Sequence, residues 1–145
     1  MVQVYVNYLA VLIAAIANMA LGFLWYGPLF GKTWMALMGM TKEQMEAGKA
    51  KMKSEGWKIY GLAFIGSLVM AYVLSHSLTF ASSYLQMTGL QAGLMVGFWS
   101  WLGFVAPVTL GTVLWEGKPW KLWILINGYY LVALLIMGSI LVYWM

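Results

Sequence analysis

The amino-acid sequence predicts an all-α integral membrane protein with four transmembrane helices and a short amphipathic cytoplasmic helix between the first and second. Composition is the first reason: hydrophobic residues make up 63% of the 145-residue chain and charged residues only 8%. An average soluble domain has roughly 25% charged residues, and a chain this short could not bury so much apolar surface on its own. The length of the apolar stretches and the one-sided placement of the charges are the other two reasons.

Four apolar stretches are long enough to cross about 30 Å of hydrocarbon, which takes about 20 helical residues. Lipid offers no hydrogen bonds to a backbone, so helices are the expected form of such stretches. We expect the whole chain, residues 1–145, to form a single transmembrane domain. The predicted spans cover residues 4–26, 57–80, 89–114 and 119–143.

The connection between the first two spans, residues 27–56, has a structure of its own. Thr41 followed by Gln44 is a capping-box pattern, which begins a helix, and Gly56 is typical of a helix end. Lysines and glutamates surround an apolar stripe between these points. The pattern predicts a short amphipathic helix lying on the inner leaflet, where lysines meet anionic lipid headgroups.

The charged side chains predict the orientation. All eight lysines and four glutamates lie in residues 27–58 or 116–121, which four crossings place on one side of the membrane. The positive-inside rule makes that side cytoplasmic and puts both termini outside. We therefore expect a multi-pass protein of the cell (inner) membrane, whose positive charge serves the bilayer and its anionic headgroups rather than a nucleic acid.

Several kinds of chemistry lack their residues. The chain has no cysteine, which excludes disulfides, thiolate metal sites and a cysteine nucleophile, and it has a single histidine. It shows no Ser/His/Asp arrangement, phosphate-binding loop or carboxylate pair. We expect no catalytic residue, no metal site and no cofactor.

Small residues at every fourth position predict close helix packing. Span three opens with Gly89, Gly93 and Gly97, a doubled GxxxG pattern. Such faces serve either a tight bundle within the chain or a homodimer, and we expect a homo-oligomer (dimer) or a subunit of a membrane complex. Pro107, inside the same span, predicts a kink.

Polar side chains inside the spans are the candidates for a functional site. Asn18 and Asn127 each lie eight residues from the inner end of a span, roughly 12 Å deep, and Thr109 is near that level. With Glu116 they form a candidate polar site open to the cytoplasm. The alternatives are an interhelical hydrogen bond for the asparagines and an interfacial ion pair with neighbouring lysines for Glu116.

A second candidate, at the outer side, is a polar cluster of Asn7, His76 and Gln91. His76 is the one histidine, and it could titrate or bind a metal together with a partner's histidine across a dimer axis. The alternative is a histidine that is hydrogen-bonded among the neighbouring amides.

Several strings occur in an order that resembles the DUF1761 family, small bacterial membrane proteins of unknown function. They are VLIAAIA (residues 11–17), LWYGPLFGKTW (24–34), GFVAP (103–107), LWEGKPW (114–120) and INGYYL (126–131). The resemblance covers nearly the whole chain and implies a four-helix membrane protein, without an activity or a cofactor. It adds Tyr129 to the candidate polar site as a motif position.

Three functions follow as expectations. The first is a non-enzymatic protein with a packing, lipid-binding or accessory-subunit role, acting as an oligomer. The second is a small transporter or channel with a polar cavity open to the cytoplasm near Asn18, Asn127 and Glu116. The third, an enzyme in the membrane, would have to draw its acid and base from tyrosines, His76 and Glu116.

Overall fold

The computed structural model describes residues 5–144, so the predicted beginning of span one at residue 4 lies outside the described residues. Every regular element in this part of the chain is helical, with seven α-helices and two π-helical turns. The α-helices are α1 (Tyr8–Leu24), α2 (Gly31–Met38), α3 (Lys42–Leu85), α4 (Gly89–Ser100), α5 (Ala106–Thr109), α6 (Gly111–Leu114) and α7 (Trp120–Val142). The π-helical turns are Trp25–Leu29 and Trp101–Val105.

Four helical segments among the described residues are long and apolar enough to cross a membrane. They are Tyr8–Leu29, Lys42–Leu85, Gly89–Leu114 and Trp120–Val142. This confirms the all-helical fold with four apolar helices of membrane-crossing length.

The prediction of a separate short helix that ends at Gly56 is wrong. The capping box is present, because Gln44 N donates to Thr41 Oγ1 (3.2 Å) and Thr41 N donates to Gln44 Oε1 (2.9 Å). The helix that begins there continues for 44 residues. Gly56 lies inside this helix, and no proline or left-handed residue follows it before Gln86, where the helix ends. One glycine costs a helix only about 1 kcal/mol relative to alanine, which the flanking turns can offset.

Helix α3 is therefore one rod, about 66 Å long at 1.5 Å per residue. It runs antiparallel to α1, since Asn18 of α1 bonds Ser67 of α3 and the ring of Phe23, later in α1, lies 5.0 Å from that of Tyr60, earlier in α3. This register places Leu24 about level with Gly61. The first part of α3, which carries its charged residues, thus extends beyond the end of α1. If α3 crosses a bilayer, this part projects from the membrane instead of lying on it.

Both π-helical turns occur next to a proline in an apolar helix. Gly27 leaves helical geometry (φ −102°, ψ −107°) just before Pro28, and Phe30 N donates to Trp25 O across a widened turn (2.8 Å). In the third apolar segment, Ala106 N donates to Trp101 O just before Pro107. Each proline lacks a backbone N–H donor, and the widened turn accommodates this break in the helical hydrogen-bond pattern. The kink predicted from Pro107 therefore takes the form of a π-helical turn.

The tightest helix contact joins α4 to α7. A Cβ added to Gly93 would lie 2.5 Å from the Gly138 carbonyl oxygen, and one added to Gly97 would lie 2.6 Å from that of Leu134. The two backbones touch only because these positions lack side chains. The glycine pattern thus serves packing within the chain. On the other side of the bundle, α1 packs against α3 and α7 through buried Ala10, Ala14 and Ala71.

The bundle has a charged end and an uncharged end. At the charged end, α1 passes into α2, residues 115–119 connect α6 to α7, and Lys118 Nζ donates to the Met38 carbonyl (3.1 Å). At the uncharged end, residues 86–88 connect α3 to α4. Between Ile59 and Trp115 the chain contains no lysine or glutamate.

Candidate functional site

The predicted polar site is divided by helix α7 into two separate clusters. Asn127 and Tyr129 are two residues apart and therefore point about 200° apart around the helix axis. Each side chain bonds a different set of partners. The sequence predicts Asn18 and Asn127 at one depth, but no hydrogen bond joins them among those found between described residues.

The first group, the tyrosine cluster, consists of Tyr129, Asn18 and Ser67. Tyr129 Oη donates to Asn18 Oδ1 (2.9 Å), and Asn18 Nδ2 donates to Ser67 Oγ (2.8 Å). Ser67 Oγ in turn donates to the carbonyl of Ala63 one turn earlier (3.0 Å). This chain of hydrogen bonds connects α7, α1 and α3, and Asn18 and Ser67 are buried.

A cavity of about 370 Å³ lies beside the tyrosine cluster, toward the charged end. The ring of Tyr26, in the first π-helical turn, lies 5.2 Å from the ring of Tyr129. Gly22 leaves room for the Tyr129 hydroxyl, because a Cβ there would be 3.4 Å from that oxygen. The residues that line the cavity are Met19, Gly22, Phe23, Tyr26, Gly27, Tyr60, Ala63 and Tyr129.

The second group, the asparagine cluster, consists of Asn127 and Thr109. Asn127 Nδ2 donates to Thr109 Oγ1 (2.9 Å) and to the carbonyl of Trp123 (3.1 Å). Thr109 Oγ1 lies 2.8 Å from the carbonyl oxygen of Val105, to which it donates. Val105 ends the second π-helical turn, so this cluster adds a side-chain hydrogen bond at the kink beside Pro107.

Two indoles hold α7 from opposite sides. Trp25 Nε1 donates to the carbonyl of Leu125 (3.1 Å), and Trp101 Nε1 donates to the carbonyl of Asn127 (3.0 Å). Each tryptophan is the first residue of a π-helical turn. Each π-helical turn thus provides one indole N–H donor to α7, and the two accepting carbonyls are two residues apart.

Glu116 lies apart from both clusters. Its side chain is exposed in the connection before α7. Lys118, which the sequence pairs with Glu116, donates instead to the Met38 carbonyl at the end of α2. The charge of Lys118 therefore stabilises the carboxyl end of a helix dipole.

The outer polar residues bond within their own helices. Asn7 Oδ1 caps α1 by accepting from the backbone N–H groups of Leu9 (3.1 Å) and Ala10 (3.2 Å). His76 Nδ1 lies 2.9 Å from the carbonyl oxygen of Tyr72, one turn earlier in α3. Gln91 is exposed on α4. These bonds do not join the three side chains, and their role as a cluster stays a prediction.

Sequence reasoning missed Ser67 and both indoles as members of the buried polar network. Ser67 lies in the stripe of small residues that repeats every fourth position along α3, a signal that marks it as facing another helix. The two tryptophans had no comparable signal, because their partners are backbone carbonyls, which every residue carries. Within residues 5–144, no group of three or more His, Asp or Glu side chains could hold a metal.

The strings that carry the family resemblance lie in α1, at both π-helical turns, at the connection before α7 and in α7. Geometry explains two of their glycines. A Cβ on Gly31 would lie 2.5 Å from the carbonyl oxygen of Tyr26, and Gly117 has φ of +66°. The same strings also contain Trp25, Tyr26, Asn127 and Tyr129, which form the contacts described above.

Comparison with known proteins agrees with this pattern. No curated protein and no solved structure matches the chain. The model of the family described as "Protein of unknown function (DUF1761)" matches residues 9–142. The match covers nearly the whole chain, and the protein belongs to the DUF1761 family.

Proposed function

We propose that this DUF1761 protein is a non-enzymatic, four-span protein of the cell (inner) membrane that binds anionic lipid at its cytoplasmic face. In this proposal both termini lie outside the cytoplasm, and the protein acts as a dimer or as a subunit of a larger membrane complex. The four apolar helices support the membrane assignment. Confinement of every lysine to one end of the bundle supports the orientation.

The observation that carries the proposal is the pairing of the buried polar side chains with one another. Asn18, Ser67, Asn127 and Thr109 direct their hydrogen-bonding groups to partners on neighbouring helices or to the backbone of their own helices. Groups occupied in this way stabilise a helix bundle. They are poorly placed to activate a substrate or to replace the hydration shell of an ion.

The cavities support lipid as the partner. The one between α3, α5 and α7, of about 490 Å³, is lined mainly by aliphatic and aromatic side chains, including Val69, Phe104 and Leu134. Such a surface favours an acyl chain over water, because burying apolar groups against hydrocarbon needs no hydrogen-bond partner. The lysines at the charged end add attraction for negative headgroups.

The test is a lipid preference. We expect the purified protein in neutral detergent, examined by native mass spectrometry, to retain phosphatidylglycerol in preference to phosphatidylcholine with the same acyl chains. The reason is that only the first lipid is anionic, while the apolar contacts are equal for both. Equal retention of the two lipids would contradict the proposal.

A small transporter or channel is the second candidate, and the cavity beside Tyr26 and Tyr129 favours it. This cavity extends from the charged end to a polar group, the Tyr129 hydroxyl that bonds Asn18. In this candidate the cavity would be filled with water and open to the cytoplasm. Asn127 and Glu116 would not take part, since they lie away from it.

Cysteine labelling distinguishes the two candidates, because the chain has no native cysteine. The matched variants are Ala63→Cys, which lines the cavity, and Ile65→Cys on the exposed outer face of α3. We expect both to resist a membrane-impermeant thiol reagent applied to the cytoplasmic side, while Glu46→Cys on the projecting part of α3 reacts. Rapid labelling at 63, with none at 65, would instead support the transport candidate.

A further inference from the structure

A groove with two lysines lies between α2 and α7 at the charged end. We call it the basic groove, and it has a volume of about 760 Å³. Lys32 comes from α2 and Lys121 from the first turn of α7, and both side chains are exposed. No glutamate is among the lining residues. The charge of the groove is therefore positive and unopposed by its own walls.

Most of the other residues that line the basic groove are apolar. Leu37 of α2 and Ile124 of α7 line it, and Ile124 is 62% exposed. Gly128, farther along the same wall, carries no side chain, and the Trp25 indole covers it. An exposed aliphatic surface next to two cations matches a molecule that is anionic at one end and hydrocarbon at the other.

The walls of the groove are fixed in place. Trp25 packs against Gly128, where an added Cβ would come within 3.3 Å of the indole ring, and it donates to the Leu125 carbonyl. The ring of Phe30 lies 4.8 Å from that of Trp25. At the far end of α2, Lys118 holds the Met38 carbonyl. Helices α2 and α7 are thus joined at both ends of the groove.

We propose that the basic groove binds one anionic phospholipid, with its phosphate between Lys32 and Lys121 and an acyl chain along Leu37 and Ile124. The inference rests on the proposed function and gives it a site. Charge complementarity selects the anionic headgroup. The apolar wall, which continues from the lysines along α7, accommodates the chain. A free phosphate would use only the lysines and would leave the apolar wall uncovered.

The test compares two double variants that lose the same charge. Lys32→Gln with Lys121→Gln removes both cations of the groove, whereas Lys49→Gln with Lys53→Gln removes two exposed cations from the projecting part of α3. A lysine near the surface strengthens binding of an anionic lipid roughly fivefold. We expect the groove variant to retain phosphatidylglycerol about thirty-fold more weakly in native mass spectrometry and the α3 variant to retain it normally.

Two further variants keep the test independent of folding. Lys32→Arg with Lys121→Arg preserves the charge and should bind as the wild-type protein does. Ala36→Trp keeps both lysines but fills the groove, because Ala36 is an exposed residue of its wall, and it should weaken lipid retention at least about tenfold. Normal binding by the tryptophan variant would overturn the site.

The outcomes separate the site from the proposed function. If the groove and α3 variants lose phosphatidylglycerol equally, the attraction is spread over the charged end. The groove proposal then fails while anionic lipid binding stands. If the wild-type protein does not distinguish phosphatidylglycerol from phosphatidylcholine, both proposals fail.

Discussion

The two polar clusters on either side of α7 each contain one buried asparagine, and the two asparagines have different structural roles. Asn18 lies in a chain of side chains that connects α7, α1 and α3, and its partners are 49 and 111 residues away in the sequence. Asn127 bonds Thr109, which is 18 residues away in the adjacent kinked segment, and a carbonyl of its own helix. The first asparagine joins distant helices, and the second supports a local break in one helix.

The comparison explains why a buried amide occurs twice in so apolar a chain. A helix interrupted by proline leaves backbone groups that lipid cannot satisfy, and a neighbouring side chain has to serve them. Distant helices with small residues on their faces approach closely, and a side-chain bond between them fixes their register. Substitutions that act on one of these roles test whether the two clusters are separable.

The largest effect is expected where α4 meets α7, since the two backbones touch there and leave no room for a side chain. Gly97→Ala places a methyl group 2.6 Å from the Leu134 carbonyl oxygen. We expect a loss of about 1–3 kcal/mol in unfolding free energy, because the backbones must separate. Unfolding in mixed detergent micelles measures it.

The matched control for Gly97→Ala is Gly66→Ala, in the interior of α3. An added Cβ there meets nothing within 4 Å. Since alanine favours a helix over glycine, this control should be neutral or stabilising by up to about 1 kcal/mol. Equal destabilisation by both substitutions would show that the α4–α7 contact is not as close as described.

Replacing each asparagine by leucine should have a smaller and unequal effect. Asn18→Leu removes the acceptor of the Tyr129 hydroxyl, and we expect a loss of about 1–2 kcal/mol in unfolding free energy. Asn127→Leu should cost less than half as much, because Thr109 keeps its bond to the Val105 carbonyl. The same micelle unfolding assay applies, and a larger loss for Asn127→Leu would reverse the assignment of roles.

The two indole hydrogen bonds should contribute about 0.5–1.5 kcal/mol each. Trp25→Phe and Trp101→Phe remove them while keeping an aromatic ring. Trp123→Phe is the control, since its buried Nε1 has no hydrogen-bond partner among the described residues. We expect the first two substitutions to lower the thermal midpoint of unfolding more than the third. A drop at position 123 as large as the other two would mean that ring size, rather than the bonds, determines the effect.

Much of the fold was predictable because long, uniformly apolar stretches allow few alternatives to a helix. Hydropathy and length indicated four long helices, and the glycines of α4 indicated a close contact. The partner of that contact was not predictable, since Gly138 carries no pattern that distinguishes α7 from a second copy of the chain. Gly56 misled for a similar reason: glycine ends a helix only where the backbone turns left-handed, as at Gly39, and the residue type alone does not reveal this.

The sequence predicts one polar site, whereas the structure divides its residues between two clusters. Counting residues from the span ends places Asn18 and Asn127 at one level, but rotation around the helix axis determines which side chains meet. The spacing of Asn127 and Tyr129 already places them on opposite faces of a helix. Which face of α7 meets α1 depends on tertiary packing. Because α7 is apolar all round, the periodicity of its sequence does not specify that face.

The most direct test of the division into two clusters is a pair of double-mutant cycles that share Tyr129→Phe. Combined with Asn18→Ala, it should show a coupling of about 0.6 kcal/mol in unfolding free energy, the usual size of an interhelical hydrogen bond in a membrane. Combined with Asn127→Ala, the two effects should add within about 0.3 kcal/mol. Coupling of Tyr129 to Asn127, or to neither asparagine, would contradict the account.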